Sequence, residues 1–187
     1  MKSLVVRSLV AACAFALLPL PLVAQTSGSA STSSIQKPIS SIDRKFIKDS
    51  GEQVLSIIRL VEMTKYKGPG SEGLKSMNAK INSDMDKIWG DVGTFAQAHK
   101  TDLPKTEPSA NDKAQLAKIR KTDESKFDQA LLKVLDKETK KVVQIFETGE
   151  KSVQDPELKS IIAKWTPTLK KHAEDVAAAE AEAKKKK

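Results

Sequence analysis

The stretch from Glu72 to Lys100, EGLKSMNAKINSDMDKIWGDVGTFAQAHK, decides the fold class. In it Leu74, Met77, Ile81, Met85, Ile88, Val92, Phe95 and His99 recur at spacings of three and four. That periodicity draws an apolar stripe down one side of a helix, a seam for packing against other helices. Gly73, Gly90 and Gly93 weaken it only locally. Ser71 is placed to cap its start, and Gly68-Pro69-Gly70 separates it from the segment before.

Three further long patterns of the same kind flank it. The first helix is expected from about Asp43 to Lys65, with Phe46, Ser50, Val54, Ile57 and Val61 on one face. The third runs from about Asp123 to Gly149, its buried side marked by Phe127, Leu131, Val134, Leu135, Val142 and Phe146. Asp155-Pro156 opens the fourth, with Asp155 as cap and Pro156 in the first helical position. Its seam is Leu158, Ile162, Trp165, Leu169, His172, Val176 and Ala179. Pro167 falls inside this pattern and is expected to kink the helix or pinch its packing. No run of alternating apolar residues competes as a strand, so the fold class is all-α.

Loop lengths constrain the topology. The first and third connections are short, so each joins an antiparallel pair. The middle one, Thr101 to Lys121, contains Pro104, Pro108 and a short helical stretch at Asn111–Arg120, and is long enough to travel the length of a bundle. Two hairpins joined by such a crossover make a ferritin-like four-helix bundle over residues 41–183. An up-down-up-down bundle with the long loop as a surface excursion satisfies the same pattern.

The chain has 32 Lys+Arg against 24 Asp+Glu, but the excess sits at its ends. Setting aside Lys2, Arg7 and Lys184, Lys185, Lys186 and Lys187 leaves 26 basic against 24 acidic residues. A nucleic-acid-binding domain carries its basic footprint on the folded body, so none is expected. Lys2 and Arg7 precede an apolar run from Leu9 to Val23, and Leu22-Val23-Ala24 ends in a small residue. This reads as a signal peptide over residues 1–24, cleaved near Ala24, with a periplasmic or secreted product. An uncleaved anchor fits less well, because the run is short and carries Pro19 and Pro21. Val10-Ala11-Ala12-Cys13 resembles a lipid-attachment box, although the apolar run continues beyond Cys13. Cleavage after Ala24 removes the only cysteine, and with it any disulfide or thiolate chemistry. Residues 25–40, rich in Ser, Thr and Gly, read as a flexible linker, and residues 184–187 as a basic tail.

Several short segments carry a resemblance. They are Asp43-Arg44-Lys45-Phe46, Leu103-Pro104, Phe127-Asp128, Asp155-Pro156-Glu157-Leu158-Lys159 and Thr166-Pro167-Thr168-Leu169-Lys170-Lys171-His172. Through them the chain from Asp43 to about Ala179 resembles the secreted bacterial family called domain of unknown function 4142, often labelled putative outer-membrane protein and grouped with ferritin-like bundles. The resemblance implies inward-facing glutamate and histidine positions from several helices, as a bundle-core metal site needs. This chain has Ile57 where the family has a glutamate, Asp84-Met85 where it has an Asp-His pair, and Glu138-Thr139 where an acidic-His pair stands. His172 alone matches. No shift of register restores the missing imidazoles, because the chain has only His99 and His172.

These residues define the expectations for a site. His172 is a vestigial metal candidate, expected to face the interior beside Trp165, Leu169 and Val176, with Ile57, Met85 and Thr139 around it. No metal or other cofactor is expected, since such a lining offers too few hard or imidazole donors. His99 is expected at a helix boundary or in solvent. Asp84, Asp86 and Asp91 read as a solvated face, and Met77 and Met85 as core. No nucleophile, base and orienting group can be assembled, so no enzyme is expected. The reading is a non-enzymatic envelope protein with an unknown protein or envelope partner. The alternatives are a ferritin-like metal protein of the periplasm and a surface-binding module making weak anionic contacts through Lys184, Lys185, Lys186 and Lys187.

Overall fold

The computed structural model describes residues 38–66 and 70–185. The leader, most of the linker, Lys67-Gly68-Pro69, Lys186 and Lys187 lie outside the described residues. The elements are α1 (Ser41–Val61), α2 (Met63–Tyr66), α3 (Glu72–Ala98), α4 (Ala110–Arg120), α5 (Glu124–Ser152) and α6 (Pro156–Lys185). All are helical, and no strand occurs among the described residues.

The boundaries follow from capping. Ser40 and Asp43 form a reciprocal capping box, so α1 starts at Ser41 rather than at Asp43. Ile39, expected in the linker, is buried against the core. The first helix also ends sooner than its apolar pattern suggests. It stops at Val61, and one further turn, α2, follows. Ser109 and Asp112 repeat the capping box at α4. Asp155 accepts hydrogen bonds from the backbone N–H of Glu157 (2.8 Å) and Leu158 (3.1 Å), which starts α6 at Pro156. α6 passes through Pro167 without ending. The carbonyl that Pro167 leaves without a helical donor belongs to Ala163, an exposed residue that water can satisfy. α6 also runs through Lys184 and Lys185, so these two belong to the helix and not to a separate tail; Lys184 pairs with Glu180 at 2.8 Å.

One apolar core joins the long helices. It takes Ile47, Ile57 and Leu60 from α1, Ile81, Met85, Ile88 and Phe95 from α3, Leu131, Leu135 and Phe146 from α5, and Leu158, Ile162 and Leu169 from α6. α1 packs on α3 and α5, and α6 packs on α5 and α3. Side-chain pairs fix the directions. Phe46 meets Phe146 and Gln53 meets Glu138, so α1 and α5 are antiparallel. Asp84 meets His172 and Asp91 meets Trp165, so α3 and α6 are antiparallel. Thr64 meets Asn78 just past the α1–α3 turn. With α1 opposed to both α3 and α5, those two run parallel, and residues 99–123 must travel the length between them.

The crossover is fastened along α1. Pro104 sits on Gly51, where an added Cβ would lie 2.7 Å from the proline Cγ. Arg59 then donates to the Thr106 carbonyl (2.6 Å) and to Asp112 (3.0 Å), and the Ser56 hydroxyl donates to the other Asp112 oxygen (3.2 Å). These contacts tie the first turn of α4 to α1, and α4 packs on α5.

Candidate functional site

His172 lies on the inward face of α6 with Trp165, Leu169 and Val176, and is only 2% exposed. Its Nε2 is 3.1 Å from Asp84 Oδ2, across the α3–α6 seam. Lys87 donates to the other Asp84 oxygen at 3.0 Å. Burial alone would raise the Asp84 carboxyl, but the hydrogen bonds from Lys87 and His172 outweigh it and hold the group below the usual carboxylate range. A carboxylate only accepts, so the neutral imidazole carries its proton on Nε2 and donates it to Asp84.

Burial is also the main influence on His172, and it pushes the imidazole below its ordinary value. The Asp84 hydrogen bond and charge, with Asp175, pull the other way, and Lys80 adds to the lowering. The folded chain therefore takes up this proton less readily than the unfolded chain. The stability linked to His172 is complete above the unfolded value near 6.5 and is lost as pH falls below it. The urea midpoint of the wild type is expected to drop between pH 7 and pH 5 by more than that of His172→Gln. Parallel profiles for the two proteins would show that the imidazole is not linked to folding.

The positions that the family resemblance marks for ligands are filled differently here. Ile57 and Met85 are fully buried and apolar. Thr139 is buried too, and its hydroxyl donates to the Leu135 carbonyl at 2.9 Å, as helical threonines do. Among the described residues no group of three or more His, Cys, Asp or Glu could hold a metal ion. With Nε2 donating to Asp84, only Nδ1 of His172 is left to ligate a divalent ion, and no set of three or more His, Cys, Asp or Glu gathers with it among the described residues. The donor set does not fit such an ion.

Two acidic residues are placed otherwise than the sequence suggests. Asp84 and Asp91 do not belong to a solvated face: both bridge α3 to α6. Asp91 accepts from Lys164 and from the Trp165 indole N–H, each at 2.7 Å. The Lys164 bond, opposed by burial and helped by Trp165, holds the Asp91 carboxyl below its usual range. Only Asp86 of the three is exposed, and it accepts from Asn82. The sequence signal is that Asp84 and Asp91 lie seven residues apart and so share a helix face, which Asp86 does not. Met77 is half-buried against the core and Met85 is inside it. His99 does cap the end of α3, but it is not solvated. Its ring stacks on Phe95 with centroids 4.1 Å apart, and its side chain is 10% exposed.

A second buried polar pair was not foreseen. Gln53 of α1 donates through Nε2 to the Glu138 carboxylate (2.8 Å) and to the Glu138 carbonyl (3.1 Å) of α5. Both residues are almost fully buried. Asp84 and Glu138 thus each serve as an acceptor between helices.

A family model described as Domain of unknown function (DUF4142) matches residues 28–179. No curated protein matches the chain, and no solved structure does.

Proposed function

The chain belongs to the DUF4142 family, and from that premise we propose that it is an exported, non-enzymatic envelope protein, a ferritin-like four-helix bundle whose metal site has been closed by packing. The observation that carries the reading is the engagement of His172 Nε2 by Asp84. It commits the buried imidazole to a structural hydrogen bond. The Gln53–Glu138 pair supports it in the same way, because it leaves the α5 carboxylate already satisfied. A ferritin-like label agrees with the parallel run of α3 and α5 and the long crossover between them. The function is then carried by the surface of a rigid helical body rather than by chemistry in its core.

Export rests on the leader residues Met1–Ala24, which lie outside the described residues. No helix among the described residues is long and apolar enough to cross a membrane. Protein recovered from the envelope of its own host is expected to begin near Gln25 on N-terminal sequencing and to contain no stoichiometric metal by elemental analysis. An intact Met1 or a lipidated Cys13 would end the export reading. One equivalent of zinc, iron or manganese, lost in His172→Ala, would instead revive a metal protein.

A further inference from the structure

We infer that the cleft between α1, the crossover and α5 is a binding site for a small multivalent oxyanion. The cleft measures about 930 Å³, within the range of roughly 300–1,000 Å³ typical of small-molecule sites. Arg44 and Lys48, one turn apart on α1, form one wall, and Lys137 and Lys141, one turn apart on α5, form the other. None of these four makes an ion pair among the described residues. Like charges one turn apart on a helix are destabilising by about 0.2–0.5 kcal/mol per pair. Two such pairs on adjacent antiparallel helices also repel each other across the groove. A bridging anion turns that repulsion into attraction.

Two of the five carboxylates lining the cleft are already engaged. Asp112 is taken up by Arg59, Ser56 and the start of α4, and Glu138 by Gln53. Glu52, Asp102 and Glu107 remain, while Lys100 and Lys105 add further cations at the crossover. The walls are also fixed in advance. Arg59 clamps the crossover through Thr106 and Asp112, and Pro104 is seated on Gly51. Lys100 itself is held in the left-handed region, φ 50°, just past the end of α3 where glycine is usual. The Thr101 N–H closes that end on the Ala96 carbonyl at 2.8 Å.

The chemistry names the class of ligand. Lysines on two walls act as separate point charges, so the ligand needs at least two anionic groups, phosphate or carboxylate. Calorimetric titration of the full chain at low ionic strength, with tripolyphosphate and with citrate as probes, tests the site. At least one probe is expected to bind with one-to-one stoichiometry, and which one binds fixes the class as phosphate or carboxylate. Lys48→Gln/Lys141→Gln is expected to weaken binding by about ten-fold or more, with an unchanged circular dichroism spectrum. Lys118→Gln/Lys159→Gln removes the same charge outside the cleft and is expected to change affinity by less than about two-fold. Equal losses in the two double variants, or no binding of either probe, would overturn the assignment.

Discussion

Phe46→Ala is expected to destabilise the fold by about 3–5 kcal/mol, the cost of deleting a buried aromatic ring. Phe46 is the side chain that fastens the start of α1 to α5. Its ring meets Phe146 edge-on, with centroids 5.3 Å apart. Its other side lies over Gly149, where an added Cβ would come within 2.6 and 2.7 Å of the ring and 3.0 Å of Ile162 Cδ1. The two nearest atoms belong to a buried aromatic ring, which cannot give way without disturbing its own packing. Gly149→Ala alone is therefore expected to be destabilising by about 1–3 kcal/mol, less up to about 1 kcal/mol regained from the better helix former. In the Phe46→Ala background the same methyl enters the space the ring vacates. Its effect should then fall to zero or change sign, a coupling of about 1–3 kcal/mol. Urea unfolding of the two single variants and the double variant measures this. Simple additivity would mean that the ring and the glycine do not share one packing site.

Asp43→Ala is expected to cost about 2–4 kcal/mol, from loss of an N-terminal cap and of hydrogen bonds to a charged acceptor. Asp43 is 2% exposed, and its two oxygens serve different parts of the chain. Oδ2 accepts from the Ser40 N–H (3.2 Å) in the capping box, and Oδ1 accepts from the Gln154 N–H (2.8 Å) in the α5–α6 connection. Alanine leaves both donors without a partner. An asparagine side chain keeps one acceptor oxygen, so Asp43→Asn should fall between wild type and Asp43→Ala. Burial alone would raise the Asp43 carboxyl, but hydrogen bonds from Gln154 and Ser40 outweigh it and hold the group below its ordinary value. The sign follows from linkage. The unfolded chain takes up this proton more readily, so the contribution is complete above the unfolded value of 3.8 and is lost as pH falls below it. Acid unfolding of Asp43→Asn should accordingly be less steep than that of the wild type. Identical acid limbs would show that the Gln154 contact does not persist in solution.

The segments that carry the family resemblance thus have structural roles in this chain. Asp43 and Phe46 tie the start of α1 to the far hairpin. Pro104 closes on Gly51. Asp128 accepts from the Ser71 N–H at 3.1 Å, joining α5 to the start of α3. Asp155 starts α6, the Thr166 hydroxyl donates to the Ile162 carbonyl, and His172 reaches Asp84.

By itself the sequence determined the long helices, their inward faces and the starts of α3 and α6. A residue's side of a helix depends only on its place in the 3.6-residue period, and a cap on residues three or four positions away. That is why the seams Leu74–Phe95 and Leu158–Val176 and the caps at Ser71 and Asp155 are readable locally. The direction of α5 relative to α3, for which the sequence left two topologies open, and the partners of the buried polar groups were decided only by the tertiary structure. Asp84 and His172 are 88 residues apart, and Gln53 and Glu138 are 85 apart. No local rule links such positions. Each edge carboxylate could equally face water until packing brings a donor from another helix against it, and desolvation then makes that one pairing obligatory.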